Sequence, residues 1–432
     1  MKNISKNMEL PPGFQKDFFE AARTGDLPWL SRLMAEIEKG PEKISYASVK
    51  TCAGCNALHL AAAFGETEMC RHLIQNLKFE VDAIDDSGGT PLFQAVLGDY
   101  RDTVNFLIGS GANVMKTNLK GLTPLHWAAE QGYTELVKLL ISKGADSNAT
   151  SAVGTPLHCA AGNGSHETLK YLLDLKADPN SLSPIYLSPL LLSMFAESLE
   201  CMELLLKAGA DPNGLTTDTT PLCYAACKPD EKMIHCLLKA GANPNNTDFL
   251  GKTPLEHAAL IGSAEGVKLL FPVTSRITCY PDWNITCVMQ YVRSEGASAQ
   301  RKIKQKEMFL MAKEKGAATV ARKDYWNAIY WYSQAVKIDP GDAKMLSNRS
   351  LCFARLNNGD PALLDAQSCV ALEPRWAKAH YREGAAWKVL KKYDMAAEAF
   401  SRALALDPGN KEIEDACREA RALGFWKQTL KV

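Results

Sequence analysis

The chain of 432 residues carries 49 Lys and Arg residues against 49 Asp and Glu residues, so its formal net charge is zero. This length exceeds what one hydrophobic core supports, and we therefore expect two or three domains or a solenoid. The charge is uneven: residues 301–432 hold 24 basic and 16 acidic residues, whereas the first 300 hold 25 and 33. That balance argues against broad nucleic-acid binding by the larger part.

The N-terminus has no apolar segment of the kind that a secretory signal requires, and no stretch approaches the roughly 20 apolar residues of a membrane helix. The 13 cysteines are odd in number and follow no disulfide spacing. We therefore expect reduced thiols and a cytoplasmic or nuclear location.

A period of 32 or 33 residues fills the first two thirds of the chain. Each copy begins with Thr or Ser, a good helix N-cap, then Pro, which suits the first helical position, then a Leu that starts a buried stripe. A second helix follows and stops at a glycine such as Gly144, because glycine readily takes the left-handed conformation that ends a helix. Lys176 replaces this glycine in one copy, which predicts a looser turn. The copies begin at Thr90, Thr123, Thr155, Ser188, Thr220 and Thr253, after a weaker one at Asn56.

This ladder resembles the ankyrin repeat, whose full Thr-Pro-Leu-His form occurs at His126 and His158. The resemblance implies seven repeats over residues 46–270, preceded by a degenerate cap region at 1–45. It also implies that His59, His126 and His158 are structural residues that bond within their own repeats.

Ankyrin arrays hold partners with their finger tips and adjacent inner helices, so apolar residues at these positions indicate a protein-binding surface. The alternative is that irregular fingers bury these side chains against neighbouring repeats. The inner-helix positions are Leu97, Phe195, Leu260 and Ile261. The finger positions are Leu119, Leu122, Ile185, Tyr186, Phe249 and Leu250.

Residues 271–300 break this period. Pro272 ends a helix, and a second helix can start near Asn284 and run through Val292. We interpret it as a capping helix that closes the first array, followed by a link that begins at Gly296.

A second period, of 34 residues, marks the C-terminal part with prolines at Pro340, Pro374 and Pro408. Small residues such as Gly316 recur where two helices must cross closely. The pattern resembles the tetratricopeptide repeat (TPR) and implies a helical domain at 301–432, with a final amphipathic helix covering its end. Its three repeats are placed at 307–340, 341–374 and 375–408.

A more specific pattern lies within this domain. In TPR domains that hold the acidic C-terminal tail of heat-shock chaperones, five residues bind two carboxylates. They are a Lys and an Asn four apart, a second Asn, and a Lys and an Arg four apart. The resemblance assigns these roles to Lys313, Asn348, Lys378 and Arg382, while Ala317 stands where the pattern has its first Asn. Carboxylates only accept hydrogen bonds, so such a tail requires ammonium, guanidinium and amide donors. Each of these residues alone is also typical of a solvated helix face.

Other candidate sites are weaker. Cys52 and Cys55 lie near His59, but a zinc site needs about four ligands and no second such pair occurs. Cys223 and Cys227 share a helical face and are interpreted as packing residues. The short motifs of nucleotide-binding, metallopeptidase and serine-hydrolase sites do not occur, so we expect no catalytic residue, metal or cofactor.

The sequence therefore predicts an all-α chain: an ankyrin-repeat solenoid, a short junction and a three-repeat TPR solenoid, similar to the ankyrin–TPR proteins of plants. The implied function is a non-enzymatic adaptor or co-chaperone. Its TPR groove would bind the tail of a seventy- or ninety-kilodalton-class heat-shock chaperone, and its ankyrin array a client protein. Two alternatives stay open: a scaffold whose TPR groove binds another peptide, and a signalling or transcriptional regulator whose TPR domain dimerises.

Overall fold

The computed structural model describes residues 12–37, 46–184, 187–214, 219–228 and 231–429. Within these ranges the secondary structure is helical and contains no strand, which confirms the all-α prediction. No helix in the same ranges is long and apolar enough to cross a membrane. The chain divides into two compact units, Met1–Gly214 and Leu215–Val432, so the division falls inside the predicted ankyrin array.

In the first unit, short helices alternate in pairs. From α3 to α12, inner helices of seven residues are each followed by an outer helix of nine. The threonine caps behave as predicted, since the Thr90 side chain accepts a hydrogen bond from the Phe93 N–H at 3.2 Å. The helices are α1 Pro12–Thr24, α2 Leu27–Ile37, α3 Ala57–Ala63, α4 Thr67–Gln75, α5 Pro91–Leu97, α6 Arg101–Gly109, α7 Pro124–Glu130, α8 Thr134–Ser142, α9 Pro156–Gly162, α10 His166–Asp174, α11 Pro189–Phe195 and α12 Leu199–Lys207, with a 3-10 helix at Tyr46–Ser48.

The buried histidines join consecutive repeats, which goes beyond the predicted bonds inside one repeat. The Nδ1 atom of His126 accepts from the Thr123 N–H at 3.2 Å and so caps its own helix. Its Nε2 atom donates to the carbonyl of Gly154, 28 residues later, at 3.1 Å. His158 bonds in the same way to Leu187, 29 residues later. The stacking of repeats is thus fixed by polar bonds as well as by apolar burial.

Lys176 does not loosen its turn. Its φ of 65° lies in the left-handed region, as does the φ of 92° at Gly144. The Ala177 N–H still bonds to the Leu172 carbonyl at 3.1 Å, as the Ala145 N–H bonds to Leu140 at 3.0 Å. In this conformation the Cβ atom of a lysine crowds the backbone, whereas glycine has no Cβ atom. The helix therefore ends as in the other repeats, at the expense of some local strain.

In the second unit, the last ankyrin helices are followed by longer helices. The helices are α13 Pro221–Ala226, α14 Glu231–Lys239, α15 Pro254–Ile261, α16 Ala264–Leu270, α17 Ile285–Tyr291, α18 Glu295–Ala321, α19 Tyr325–Ile338, α20 Ala343–Arg355, α21 Gly359–Leu372, α22 Ala377–Val389, α23 Tyr393–Leu406 and α24 Lys411–Thr429.

Helix α18 starts at Glu295, so the predicted link that begins at Gly296 is helical. It runs without a break for 27 residues into the first predicted TPR repeat. Arg301 on this helix reaches the buried Glu256 of α15, with Nη1 and Oε1 3.3 Å apart, and Gln305 donates to the Leu250 carbonyl at 3.2 Å. Polar bonds therefore tie the start of α18 directly to the last ankyrin repeat.

In the TPR region, small residues allow the helix pairs to cross closely. A Cβ atom at Gly316 of α18 would lie 2.6 Å from the Tyr332 ring of α19. A Cβ atom at Gly384 of α22 would lie at the same distance from the Phe400 ring of α23. Both glycines are therefore required by contact with an aromatic ring, as the pattern of small residues predicts.

Candidate peptide-binding site

Helix α20, which carries Asn348, is fixed by a buried ion pair. The guanidinium of Arg349 bonds to both carboxylate oxygens of Asp365 on α21, each at 2.7 Å. It also donates to the Ser333 hydroxyl on α19 at 3.1 Å. The Asp365 side chain is only 5% exposed. Two-pronged pairs of this type set orientation as well as strength, so the rotation of α20, and hence the direction of Asn348, is determined.

Asn348 is connected to α18 through Tyr332. Its side chain acts to lower the pKa of the Tyr332 hydroxyl, against the larger effect of burial, and the Tyr332 ring lies against Gly316. An amide NH2 carries two hydrogen-bond donors that a carboxylate can accept. Lys313 lies one helical turn before Ala317 on α18, and both are exposed. Among the described residues, Lys313 forms no hydrogen bond or ion pair with the other three candidates.

Lys378 and Arg382 lie one turn apart on α22 and act on each other. Burial lowers the pKa of Lys378, and the charge of Arg382 lowers it further. Within the described part of the chain, neither residue has an ion-pair partner within 4.0 Å. Residues four apart share a helix face, so two like charges stand side by side without a neutralising contact.

Arg382 is the more buried of the two. Burial lowers the pKa of its guanidinium; the charge of Arg355 acts in the same direction, while Tyr381, Glu412 and Cys352 act against it. Its Nε atom is buried and has no hydrogen-bond partner in the described residues. An unsatisfied buried donor costs roughly 1–3 kcal/mol, so this position favours an acceptor from outside the chain.

The electrostatics link Arg382 to the face of α20 that carries Asn348. The charge of Arg382 acts on the thiol of Cys352, which follows Asn348 by four residues and so lies on the same face of α20. The charge of Arg382 therefore acts on the helix that carries Asn348, and Lys378 lies one turn from Arg382 on α22. Lys313 lies on α18, whose Gly316 contacts the Tyr332 ring.

A groove of about 680 Å³ is lined by Arg382, but not by Lys313, Asn348 or Lys378. Three further basic residues that the sequence pattern did not indicate line it, Arg355, Lys388 and Lys391. Arg355 follows Asn348 by seven residues and Lys388 follows Arg382 by six, spacings that place them about two turns further along each helix. The wall includes Leu351 and Arg355 of α20, Arg382 and Lys388 of α22, and Glu412 and Glu419 of α24.

Helix α24 supplies acidic residues to the far wall of the groove. The Tyr381 hydroxyl donates to Glu412 at 3.0 Å, and Lys388 pairs with Glu419 at 2.6 Å. The cationic charge at that end is thus partly compensated. Lys378, Arg382 and Arg355 have no ion-pair partner within 4.0 Å in the described part of the chain, although the charge of Glu412 acts on both Lys378 and Arg382.

The apolar finger residues of the ankyrin array have different environments. Leu119 is 80% exposed, whereas Leu122 is buried, so Leu122 does not belong to an exposed surface. The reason is local: Asn118 bonds to both the N–H and the carbonyl of Leu122 at 3.0 Å and folds it inward. Ile185 and Tyr186 lie outside the described residues.

The finger at Phe249 and Leu250 meets α18. Both side chains are half-buried, and the Leu250 carbonyl accepts from Gln305. A Cβ atom at Gly251 would lie 2.9 Å from the Lys304 side chain. This finger is therefore partly covered by α18 of the chain itself.

The repeats match known families. Three copies of the ankyrin-repeat family pattern match residues 18–118, 98–183 and 190–280. A tetratricopeptide-repeat pattern matches residues 377–410.

Curated relatives match over the TPR region. The Hsp70-Hsp90 organizing protein 1 of Glycine max is 35% identical over 130 residues, 29% of this chain and 23% of that protein. The Hsp70-Hsp90 organizing protein 2 of Arabidopsis thaliana is 38% identical over a segment of the same length and coverage. Tetratricopeptide repeat protein 28 of Homo sapiens is 36% identical over 90 residues, 21% of this chain and 4% of that protein. The chain thus spans less than a quarter of the length of these relatives.

Proposed function

We propose that this chain, which belongs to the ankyrin-repeat family and also carries tetratricopeptide repeats, is a co-chaperone-type adaptor that binds an acidic peptide terminus. Ankyrin and TPR repeats are protein-interaction modules, and the co-chaperone names among the relatives support the narrower role. We place the ankyrin repeats at 46–270 and the TPR domain at 301–432.

The observation that carries this proposal is the unpaired charge of Lys378 and Arg382. Two cations that repel each other on one helix, one with a buried donor left unbonded, destabilise the free protein. A ligand with two adjacent carboxylates removes both penalties. A chain terminus with a neighbouring acidic side chain has this chemistry, since it presents acceptor oxygens only.

The affinity of such a contact can be bounded. Hydrogen bonds to charged groups contribute roughly 1.5–3 kcal/mol each. The donors of Lys313, Asn348, Lys378 and Arg382, less the cost of ordering the peptide, give about −8 kcal/mol, or about micromolar binding. The proposed ligand is the tail of a seventy- or ninety-kilodalton-class heat-shock chaperone. We propose that binding takes place in the cytoplasm. The ankyrin array, with exposed Leu119, would hold a client protein.

A pull-down from cell extract tests the proposal. The full chain is compared with a variant that combines Lys378→Glu and Arg382→Ala, and a free acidic-tail peptide is added as competitor. A matched control combines Lys344→Glu with Arg375→Ala, which changes charge equally at exposed residues of the same domain. We expect the wild type and the control to retain a chaperone that the peptide displaces, and the double variant to lose it. Chaperone retained by the double variant would rule out the carboxylate site.

The alternative in which the TPR domain dimerises is tested by light scattering. The full chain is the correct sample, because a fragment starting at residue 301 would cut α18 within its contact with Glu256. A monomeric mass at every protein concentration used in the peptide-binding measurements excludes a dimer as the binding form.

A further inference from the structure

Three side chains in the second unit form a connected chain outside the peptide site. The Cys227 sulfur lies 3.2 Å from Nδ1 of His257. On the other side of the ring, Nε2 of His257 lies 2.8 Å from Oδ2 of Asp248. The three residues come from separate segments: Cys227 follows the end of α13, Asp248 lies in the finger before α15, and His257 lies on α15.

The three side chains differ in exposure to solvent and in their hydrogen bonds. Cys227 is exposed, while the side chains of His257 and Asp248 are 14% and 5% exposed. The second carboxylate oxygen of Asp248 accepts from the Lys252 N–H at 2.8 Å, which holds the carboxylate in place. An oriented carboxylate, an imidazole and an accessible thiol in hydrogen-bond sequence are the arrangement that activates a nucleophilic cysteine.

The charge state of His257 fits this arrangement. Burial acts to lower its pKa, but the hydrogen bonds and charges of Asp248 and Cys227 outweigh burial and raise the pKa to about 9. These are the two titratable groups that face the ring. At neutral pH the imidazolium then donates from Nε2 to Asp248 and from Nδ1 to the sulfur. The sulfur accepts in that bond, so the ring and the thiol are held in contact.

We propose that Cys227 is a reactive thiol whose nucleophilicity is set by His257 and Asp248, and that its substrate class is hydroperoxides. The sulfur attacks one peroxide oxygen, so an S–O bond forms as the O–O bond breaks. The sulfur is oxidised by two electrons to a sulfenic acid, and the leaving hydroxide of hydrogen peroxide, or alkoxide of an organic hydroperoxide, takes a proton and departs as water or an alcohol. His257 and Asp248 are positioning residues, since neither touches the transferred oxygen in this step.

Two other roles for this group are disfavoured by geometry. His257 lies between the other two residues, so the three do not converge on one point. Accordingly, the described residues hold no cluster of three or more His, Cys, Asp or Glu side chains that fits a metal ion. The packing role expected from sequence fits Cys223, one turn earlier, which is buried with a pKa raised to about 12 by burial. It does not fit the exposed Cys227.

The chain contains its own reference thiol. Cys52 is also exposed, and its sulfur has no hydrogen-bond partner among the described residues. The test treats the full-length reduced protein with hydrogen peroxide in the presence of dimedone, which traps sulfenic acid, and with iodoacetamide in a parallel sample. Mass spectrometry then gives the modification rate at each cysteine between pH 6 and 8.

We expect the Cys227 rate to exceed the Cys52 rate about tenfold at pH 6.5 and the two thiols to differ in pH profile, because only Cys227 is hydrogen-bonded to a titrating imidazole. His257→Asn should lower the Cys227 rate to that of Cys52 and give it the same pH profile, with Asp248→Asn intermediate. His235→Asn, at an exposed histidine of α14, should change neither rate.

Equal rates and parallel pH profiles for Cys227 and Cys52 in the wild-type protein would overturn the proposal, whatever the variants do. A wild-type difference that persists in a folded His257→Asn variant would overturn the role of His257. The unchanged Cys52 rate and circular dichroism report whether that variant is folded. These outcomes are independent of peptide binding at Lys378 and Arg382.

Discussion

Replacing Ala317 by Asn should strengthen binding of an acidic tail peptide. Ala317 is exposed on α18, one turn after the exposed Lys313. The two therefore share a helix face, and a side-chain amide at position 317 adds a donor beside the lysine ammonium. Position 316 has no room for a side chain, because the Tyr332 ring lies 2.6 Å from where its Cβ would be.

The expected gain is modest and has a defined origin. A hydrogen bond to a charged acceptor contributes roughly 1.5–3 kcal/mol, and ordering one Asn side chain costs about 0.5–1.5 kcal/mol. The net gain of about 1 kcal/mol corresponds to a Kd about fivefold lower. Asn is a poorer helix former than Ala by roughly 0.6 kcal/mol, so the stability of the fold should fall slightly while affinity rises.

Isothermal titration calorimetry of the full chain with an acidic-tail peptide measures this change. Ala318→Asn is the matched control, because Ala318 is equally exposed but points about 100° away around the helix. It carries the same helix penalty and should leave the Kd unchanged. An Ala317→Asn variant that binds no better than the Ala318→Asn variant would refute the placement of α18 at the peptide site.

Three further predictions concern stability. Arg382→Met should raise the free energy of unfolding by about 1 kcal/mol in urea titrations while weakening peptide binding, since it removes a buried cation without a partner; a loss of stability would contradict this. Arg301→Met should cost about 2 kcal/mol by unpairing buried Glu256, whereas the exposed control Lys302→Met should cost little; equal effects would argue against the junction contact. Burial lowers the pKa of His158 to about 4, so on acidification the unfolded chain binds the proton before the folded chain does. The free energy of unfolding should therefore fall by up to about 3 kcal/mol between pH 6.5 and 4. His158→Gln should flatten that dependence on pH.

The repeat architecture was accessible from sequence because its causes are local and recur. A threonine cap, a proline at the first helical position and a left-handed residue after the second helix each act within a few residues of the chain. Two predictions from residue type were wrong: a looser turn at Lys176 and a non-helical link at Gly296. Lys176 adopts the conformation of a glycine. Gly296 is tolerated in the first turn of α18, where the Ser294 side chain accepts from the Ala297 N–H at 3.2 Å and caps the helix.

Contacts between repeats were harder to foresee. Leu122 is buried by bonds to Asn118, which finger positions alone do not indicate. Cys227 and His257 are 30 residues apart, close to one repeat length, so stacking places them side by side. Comparing equivalent positions in successive repeats would have suggested that pair. The unpaired charge at Arg382 also depends on burial, which sequence spacing does not measure.

The most direct measurement compares two peptides that differ only at the carboxyl terminus. Titration calorimetry of the full chain would use an acidic-tail peptide with a free C-terminal carboxylate, and the same peptide with an amidated terminus. If Lys378, Arg382 and Asn348 bind the terminal carboxylate, the free acid should bind with about micromolar Kd and the amide at least about tenfold more weakly. Equal affinities for the two peptides would contradict a carboxylate site in this domain.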